Sequence, residues 1–346
     1  MVPSVTLEGT LRDMGEQHGE ILRTSIRALA ELRMEYLMRT VESTDAQAIE
    51  EIAVAMGQQI EKQLPEVFEE TAATARAAGI PYWKLVVAGA VSDVSDVAGR
   101  GNVRGAAVLS ECTILVARTE AQGVVIAGTW DSHATATEHL AICERRPNGL
   151  PATTALTTAG WPMQQAVNSA GIGLVVANVV GANVANGVPF IAVLPEIARA
   201  QTLAEAGPTV ARVPHASGRF YVIGDASAAR GFEVVPTVGI FEDDHVPMVH
   251  TNHYLFEDAR PHEGRPQALE SSELRLAIAG RLADESREVT AVELVKALAH
   301  SGVCQDGDGD GDRTGAIFAI VPKDGSIIFA TSTHEDVTEL KLRLEK

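Results

Sequence analysis

The first hundred residues carry apolar positions at helical spacing. Leu22, Ile26, Leu29, Leu32 and Tyr36 recur every three or four residues, and Ile49, Ile52, Met56, Ile60 and Leu64 repeat the pattern up to Pro65. Such stripes predict amphipathic helices facing a core, with a further helix over PYWKLVVAGAVSDV (81–94). The pattern changes at the glycine-rich stretch GRGNVRGAA (99–107), which reads as a loop. Short β-type runs follow: TILVART, GVVIAGTW, TTALTTAG and GIGLVVANVV. A helix is expected at AVLPEIARAQTLAEAG, then strands at GRFYVIGDA and GFEVVPT, then helices at SSELRLAIAGRLADE and TAVELVKALAHSG. The closing runs AIFAIVP and SIIFATS, joined by KDG, read as a β-hairpin. Strands arrive in adjacent pairs and do not alternate singly with helices. That order predicts an α+β fold of antiparallel sheets with helices on their faces, an αββα layering.

Composition narrows the function classes. The 346 residues are 46% hydrophobic and only 4% aromatic, so a sizeable core must be built from Ala, Val, Ile and Leu. Twenty-eight basic against 46 acidic residues give a net charge of −18, which argues against nucleic-acid or anionic-membrane partners. The first fifteen residues lack a basic-then-apolar leader pattern, and no apolar run is long enough to span a bilayer, so a cytoplasmic location is expected. Three cysteines, Cys112, Cys143 and Cys304, fit neither a disulfide framework nor a zinc-ligand spacing, and no cofactor or metal is expected.

Cys112 opens the first strand pattern, directly before Thr113. Nineteen residues on, GTWDSH returns Asp131 to the neighbourhood of that strand start, because the ends of a hairpin's two strands are adjacent. A carboxylate there can orient a thiol or an amine, although a strand-end Asp also serves as a turn residue. In VHTNHYL, Asn252 offers amide hydrogens that could meet an oxyanion or a loop backbone, and its flanking His250 and His253 leave a cysteine–histidine pair open.

Cys-Thr opening a hairpin, then GTWDSH, NSAGIGLVVANVVG, GFEVVPT and HTNHYL, resembles the acyl-coenzyme A:6-aminopenicillanate (isopenicillin N) acyltransferase family. Its members are cysteine N-terminal-nucleophile (Ntn) hydrolases related to the choloylglycine hydrolases, and LRDMGEQHGE is similar to their opening motif. The resemblance runs in family order from about residue 7 to residue 335.

It implies a four-layer αββα Ntn sandwich and a precursor that cuts its own Glu111–Cys112 bond. Residues 1–111 would remain as a helical α chain beside a nucleophile-bearing β chain, 112–346, within one structural domain. By the same resemblance Asp131 holds the freed amine of Cys112, Asn252 helps form the oxyanion hole, and Arg313 is an active-site arginine. Asn178 falls at a second oxyanion or substrate position, and Arg275 in SSELR sits in a Ser-x-x-Arg pattern that would otherwise read as a helix-surface residue. This chain departs from the family in carrying Glu111 where a small residue is usual and Ile114 where a small or hydroxyl residue is frequent.

The implied chemistry has its own logic. A mid-chain cysteine has no base, whereas an N-terminal one carries an α-amine of pKa about 8 that can take the thiol proton. The expected activity is N-acyl amide hydrolysis on a small acyl-amide or acyl-thioester substrate, with acyl-CoA-dependent N-acyl transfer as the alternative. An unprocessed acidic binding protein is a second alternative. Asp306, Asp308 and Asp310 match the start of a calcium loop with Gly311 at its sixth position, but the twelfth position is Ile317 where a bidentate Glu is required.

Overall fold

The computed structural model describes residues 2–41, 44–99, 112–264, 269–307, 311–331 and 337–341. A short strand, β1 (Ser4–Gly9), leads into six helices: α1 (Leu11–Ile21), α2 (Arg23–Thr40), α3 (Ala46–Gln63), α4 (Pro65–Ala78), α5 (Tyr82–Gly89) and α6 (Val91–Ala98). Their ends follow local chemistry. Thr10 and Asp13 form a reciprocal capping box on α1, Pro65 starts α4 where its missing N–H costs nothing, and Gly79 closes α4 in the left-handed conformation. The continuous helix expected over 81–94 is two helices that meet at Ala90.

The central part supplies β2 (Cys112–Thr119), β3 (Gly123–His133), β4 (Leu140–Pro147), β5 (Thr153–Thr158), β6 (Gln165–Asn168) and β7 (Gly173–Asn178). Next come α7 (Phe190–Ile197), α8 (Leu203–Arg212), β8 (Arg219–Gly224), β9 (Ala229–Val235), β10 (Gly239–Asp243) and β11 (Met248–His250). The chain ends with α9 (Leu269–Glu285), α10 (Ala291–His300), β12 (Asp312–Val321), β13 (Ser326–Thr331) and β14 (Val337–Lys341). The single helix expected over 192–207 is α7 and the start of α8, interrupted at 198–202.

Two sheets result. One runs β1-β4-β5-β6-β7-β8-β9-β10 and the other β11-β2-β3-β12-β13-β14. All pairings among the described strands are antiparallel except β1 with β4. The side chains assign the layers. Ile114, Val116, Val124, Ile126, Phe318 and Ile320 pack between the sheets with Ile142, Leu156, Val175 and Val222. Their sequence neighbours Leu115, Ala117, Val125, Ala127, Ile317 and Ala319 point the other way, onto Leu294, Val295 and Leu298 of α10. On the opposite side, Cys143, Leu174 and Tyr221 meet the helices α1–α8. The order is helices, sheet, sheet, helices, so the αββα layering expected from the strand pairing is the one formed. Both faces of these strands are buried, and their sequences therefore read as continuous apolar runs.

Helix α1 lies unusually close to α4. A Cβ on Gly15 would stand 2.1 Å from the Glu70 carbonyl oxygen, and one on Gly19 2.3 Å from that of Thr74. Glu70 is in turn held by Arg145 of β4, with Nε to Oε1 at 2.9 Å and both side chains buried, which ties the helical layer to the first sheet. Between the two glycines, His18 accepts the Gly160 N–H at Nε2 (3.1 Å), and burial pushes its pKa down to about 4.

Mutation and pH both test this contact. Gly15→Ala forces the helices apart and should cost about 1–3 kcal/mol by urea unfolding. Because His18 titrates lower in the folded chain than in the unfolded one, the unfolded state takes up the proton first. Stability is full above about pH 6.5 and falls as pH drops toward about 4. A series of urea midpoints should show this decline, and it should be shallower in His18→Gln, whose amide oxygen can accept the same N–H without titrating.

Candidate active site

Cys112 is the first residue of β2, opposite Trp130 of β3, so Asp131 lies one step past the end of the pairing. Hairpin geometry thus brings thiol and carboxylate together, as the sequence pattern predicts. Asp131 is fully buried and accepts hydrogen bonds from Thr314 (Oγ1 to Oδ1, 2.6 Å) and Thr129 (Oγ1 to Oδ2, 3.2 Å). A register shift between Thr314 and Ala316 sets Thr314 against Asp131. Gly315 fills the bulge because a Cβ there would stand 2.5 Å from the Trp130 ring.

The backbone of Cys112 is held on both sides. Its N–H donates to Asn252 Oδ1 at 3.2 Å, and its carbonyl accepts from Arg275 Nη1 at 2.7 Å. The same guanidinium reaches Thr113 Oγ1 (3.1 Å) and, through Nη2, Asn252 Oδ1 (2.8 Å). Arg275 is 2% exposed. It is not the helix-surface arginine that its sequence context allowed, because α9 turns it inward beneath β2. Asn252 is anchored further by its own N–H to Ser272 Oγ (2.9 Å) and by Nδ2 to the Asn178 carbonyl (2.8 Å). Four sequence-expected residues, Cys112, Asn178, Asn252 and Arg275, therefore form one hydrogen-bonded set, with Asp131 beside it.

The Cys112 thiol is pushed up to about 12, first by burial and then by the negative charge of Asp131. Backbone hydrogen bonds at Asn178 and Asp131 and the charge of Arg275 pull the other way and do not offset it. With Cys112 inside an uncut chain, this thiol has no imidazole or amine beside it among the described residues.

Neither flanking histidine serves it. His250 places Nε2 2.7 Å from Glu233 Oε1 and Nδ1 2.8 Å from the Thr251 carbonyl, and stacks on Phe220 at 3.8 Å. His253 contacts Ser272 Oγ at 2.7 Å. Both stabilise the Asn252 turn.

Cys112 lines a small pocket whose walls also include Trp130, Asn178, Gln164, Arg33 and Arg219. Arg219 is neutralised: Asp93 lies 3.0 Å away, Asp96 3.6 Å, and Ser92 Oγ accepts at 2.9 Å, all on α6. Arg33 and Arg219 were not singled out from the sequence. A signal existed for Arg33, which interrupts the buried stripe Ile26, Leu29, Tyr36 of α2.

Arg313, matched to an active-site arginine by resemblance, is not brought to this pocket wall. It pairs with Ser132 across β12 and β3, and its Nε donates to the Gly307 carbonyl at 2.9 Å. Glu111, and with it the carboxyl side of the expected scissile bond, lies outside the described residues, as do Asp308 and Asp310 of the calcium-loop motif. Asp306 forms a β-bridge with Arg313.

No protein-family model matches the chain, and no curated relative is found. Among solved structures, it is similar to a mutant of conjugated bile acid hydrolase from Clostridium perfringens, at 11% identity and a TM-score of 0.48, over 68% of this chain and 93% of that one. It is also similar to penicillin V acylase from Agrobacterium tumefaciens (14% identity, TM-score 0.46, 67% and 86% covered). A third similarity is to an N-acylethanolamine-hydrolyzing acid amidase ortholog from Caenorhabditis elegans (12% identity, TM-score 0.45, 66% and 100% covered).

The buried Asp131–Thr314 bond offers a direct check of this arrangement. Thr314→Val keeps the shape but removes the 2.6 Å hydrogen bond and the acceptor for the Gln305 N–H. A loss of about 1–3 kcal/mol is expected in denaturant unfolding.

Proposed function

We propose that this chain is a self-processing cysteine Ntn enzyme that hydrolyses N-acyl amides. The observation that carries this reading is that the backbone nitrogen of Cys112 is fixed by a side chain, Asn252, next to the buried carboxylate of Asp131. A cysteine–histidine enzyme needs an imidazole at the sulfur. An N-terminal nucleophile needs its own nitrogen oriented, because that nitrogen is the base.

In the processing step the Cys112 thiol attacks the Glu111 carbonyl. The C–N bond breaks, the proton passes to the departing nitrogen, and a thioester forms. Water then cleaves the thioester, leaving a carboxylate on Glu111 and a free thiol and α-amine on Cys112. Residues 1–111 stay as the α chain and 112–346 form the β chain.

In the mature site the α-amine takes the thiol proton, and Asp131 and Asn252 Oδ1 hold the resulting ammonium. The thiolate attacks the substrate carbonyl. The oxyanion is met by the second Asn252 Nδ2 hydrogen and by the backbone N–H groups at the thiol. The ammonium protonates the leaving amine, and water releases the acid from the acyl-enzyme. Arg275 holds the first peptide of the β chain and acts through Cys112 and Asn252. The same intermediate can pass its acyl group to an amine in place of water, and added amines read that branch as a change in product ratio.

The test is an intact-mass spectrum of freshly purified protein beside Cys112→Ala. Two fragments, 1–111 and 112–346, are expected in the parent and one uncut chain in the variant. A parent that stays uncut after long incubation overturns the reading. In an amide screen, Asn252→Ala should lower kcat by about 10²–10³.

A further inference from the structure

The Cys112 pocket contains a charge imbalance that the reaction above does not use. Arg219 faces two carboxylates, but Arg33, also in the wall and 2% exposed, faces none among the described residues. Its Nη1 donates to the Ala88 carbonyl of α5. Its Nε is buried without a hydrogen-bond partner. A guanidinium taken out of water and left unpaired costs several kcal/mol. Its pKa is pushed down to about 10 by that burial.

Unsatisfied polar groups in a pocket wall are satisfied by whatever fills the pocket. A guanidinium with a free N–H donor fits a carboxylate, whose oxygens only accept. Trp130, Val176 and Phe190 supply apolar surface for the rest of such a molecule.

We propose that Arg33 recognises a carboxylate on the amide substrate, so the pocket selects anionic N-acyl amides over neutral ones. This rests on Cys112 being the nucleophile of the reading above, and it gives α2 of the N-terminal segment a role in substrate choice. Arg33 takes no part in bond breaking. It lowers the free energy of anionic ligands relative to neutral ones of equal size.

The test separates this inference from the amidase reading by using alkylation in place of turnover. Bromoacetylamino-alkanoates with one to five methylenes, each paired with its carboxamide, alkylate Cys112, and the modified peptide is quantified by mass spectrometry. Both members of a pair need the same thiolate, so the carboxylate-to-carboxamide rate ratio cancels the thiol's own acidity. Relative to glutathione at the same pH and salt, the ratio should rise about tenfold at one chain length. Arg33→Met should return it to the glutathione value, and Arg33→Lys, which keeps the cation, should retain part of it. Arg33→Met removes an unpaired buried charge and should not lower the unfolding temperature. A ratio equal to that of glutathione at every length, or an elevated ratio that survives Arg33→Met, overturns the proposal. If the ratio rises but no amide is cleaved, the anion subsite stands and the amidase reading falls. If amides are cleaved and the ratio is flat, the amidase reading stands and the anion subsite falls.

Discussion

The site hangs on one buried guanidinium. Arg275 leaves α9 and reaches under the first strand of the second sheet, where it holds the Cys112 carbonyl, the Thr113 hydroxyl and the Asn252 side chain at once. Three segments far apart in sequence are thereby fixed to a common point. Arginine suits this position because its planar fork makes several hydrogen bonds of defined direction from one side chain. Asn252 extends the linkage to the other sheet through the Asn178 carbonyl at the end of β7. Cys112 thus sits where the two sheets are stitched together by polar contacts, between cores that are otherwise apolar.

That placement has a cost that explains the surrounding residues. Strands covered on both faces leave no solvent for a polar side chain, so each must find a partner within the layers. Asp131 finds Thr314 through a bulge, Glu233 takes His250 and the N–H groups of Leu255 and Phe256, and Arg219 takes Asp93 and Asp96. These sets converge on the ends of β2, β3, β7 and β11. The rest of those strands carries mainly Val, Ile, Leu and Ala. Packing and polar order are divided along the length of each strand.

This division decides what the sequence could disclose. Helical periodicity marked α2 and α3 because those helices have one buried and one wet face. The β2–β3 hairpin was legible from its short turn, and with it the closeness of Cys112 and Asp131. The layering followed from the pairing of strands. The meeting of Cys112 with Asn252 and Arg275 was not deducible from spacing, since contacts 140 and 163 residues apart leave no local pattern. The residue pattern VHTNHYL marked Asn252, and resemblance brought Arg275 and Asn178 into view together with Arg313, whose Nε donates to the Gly307 carbonyl. The breaks at Ala90 and at 198–202 were missed because alanine, the strongest helix former, stands at positions 90, 198 and 200 and signals no interruption.

The same burial that hides the site also restrains it. A thiol held near 12 is almost wholly protonated at neutral pH, and the carboxylate beside it keeps it so. Moving this balance requires a positive charge at the sulfur. Among the described residues no lysine lines the pocket, Arg33 and Arg219 in its wall are not among the groups that shift the thiol, Arg275 is already engaged, and the histidines are turned to other partners. The group closest to the thiol that could acquire such a charge is the nitrogen of Cys112, which becomes an amine only when the preceding peptide bond is gone. In the proposed reaction the effect of Asp131 would then change sign: as the neighbour of a neutral amide it suppresses the thiolate, and as the counter-ion of an ammonium it would stabilise the attacking pair. A single buried carboxylate would in this way keep the uncut chain inert and the cut chain reactive, with no movement of the strands that carry it.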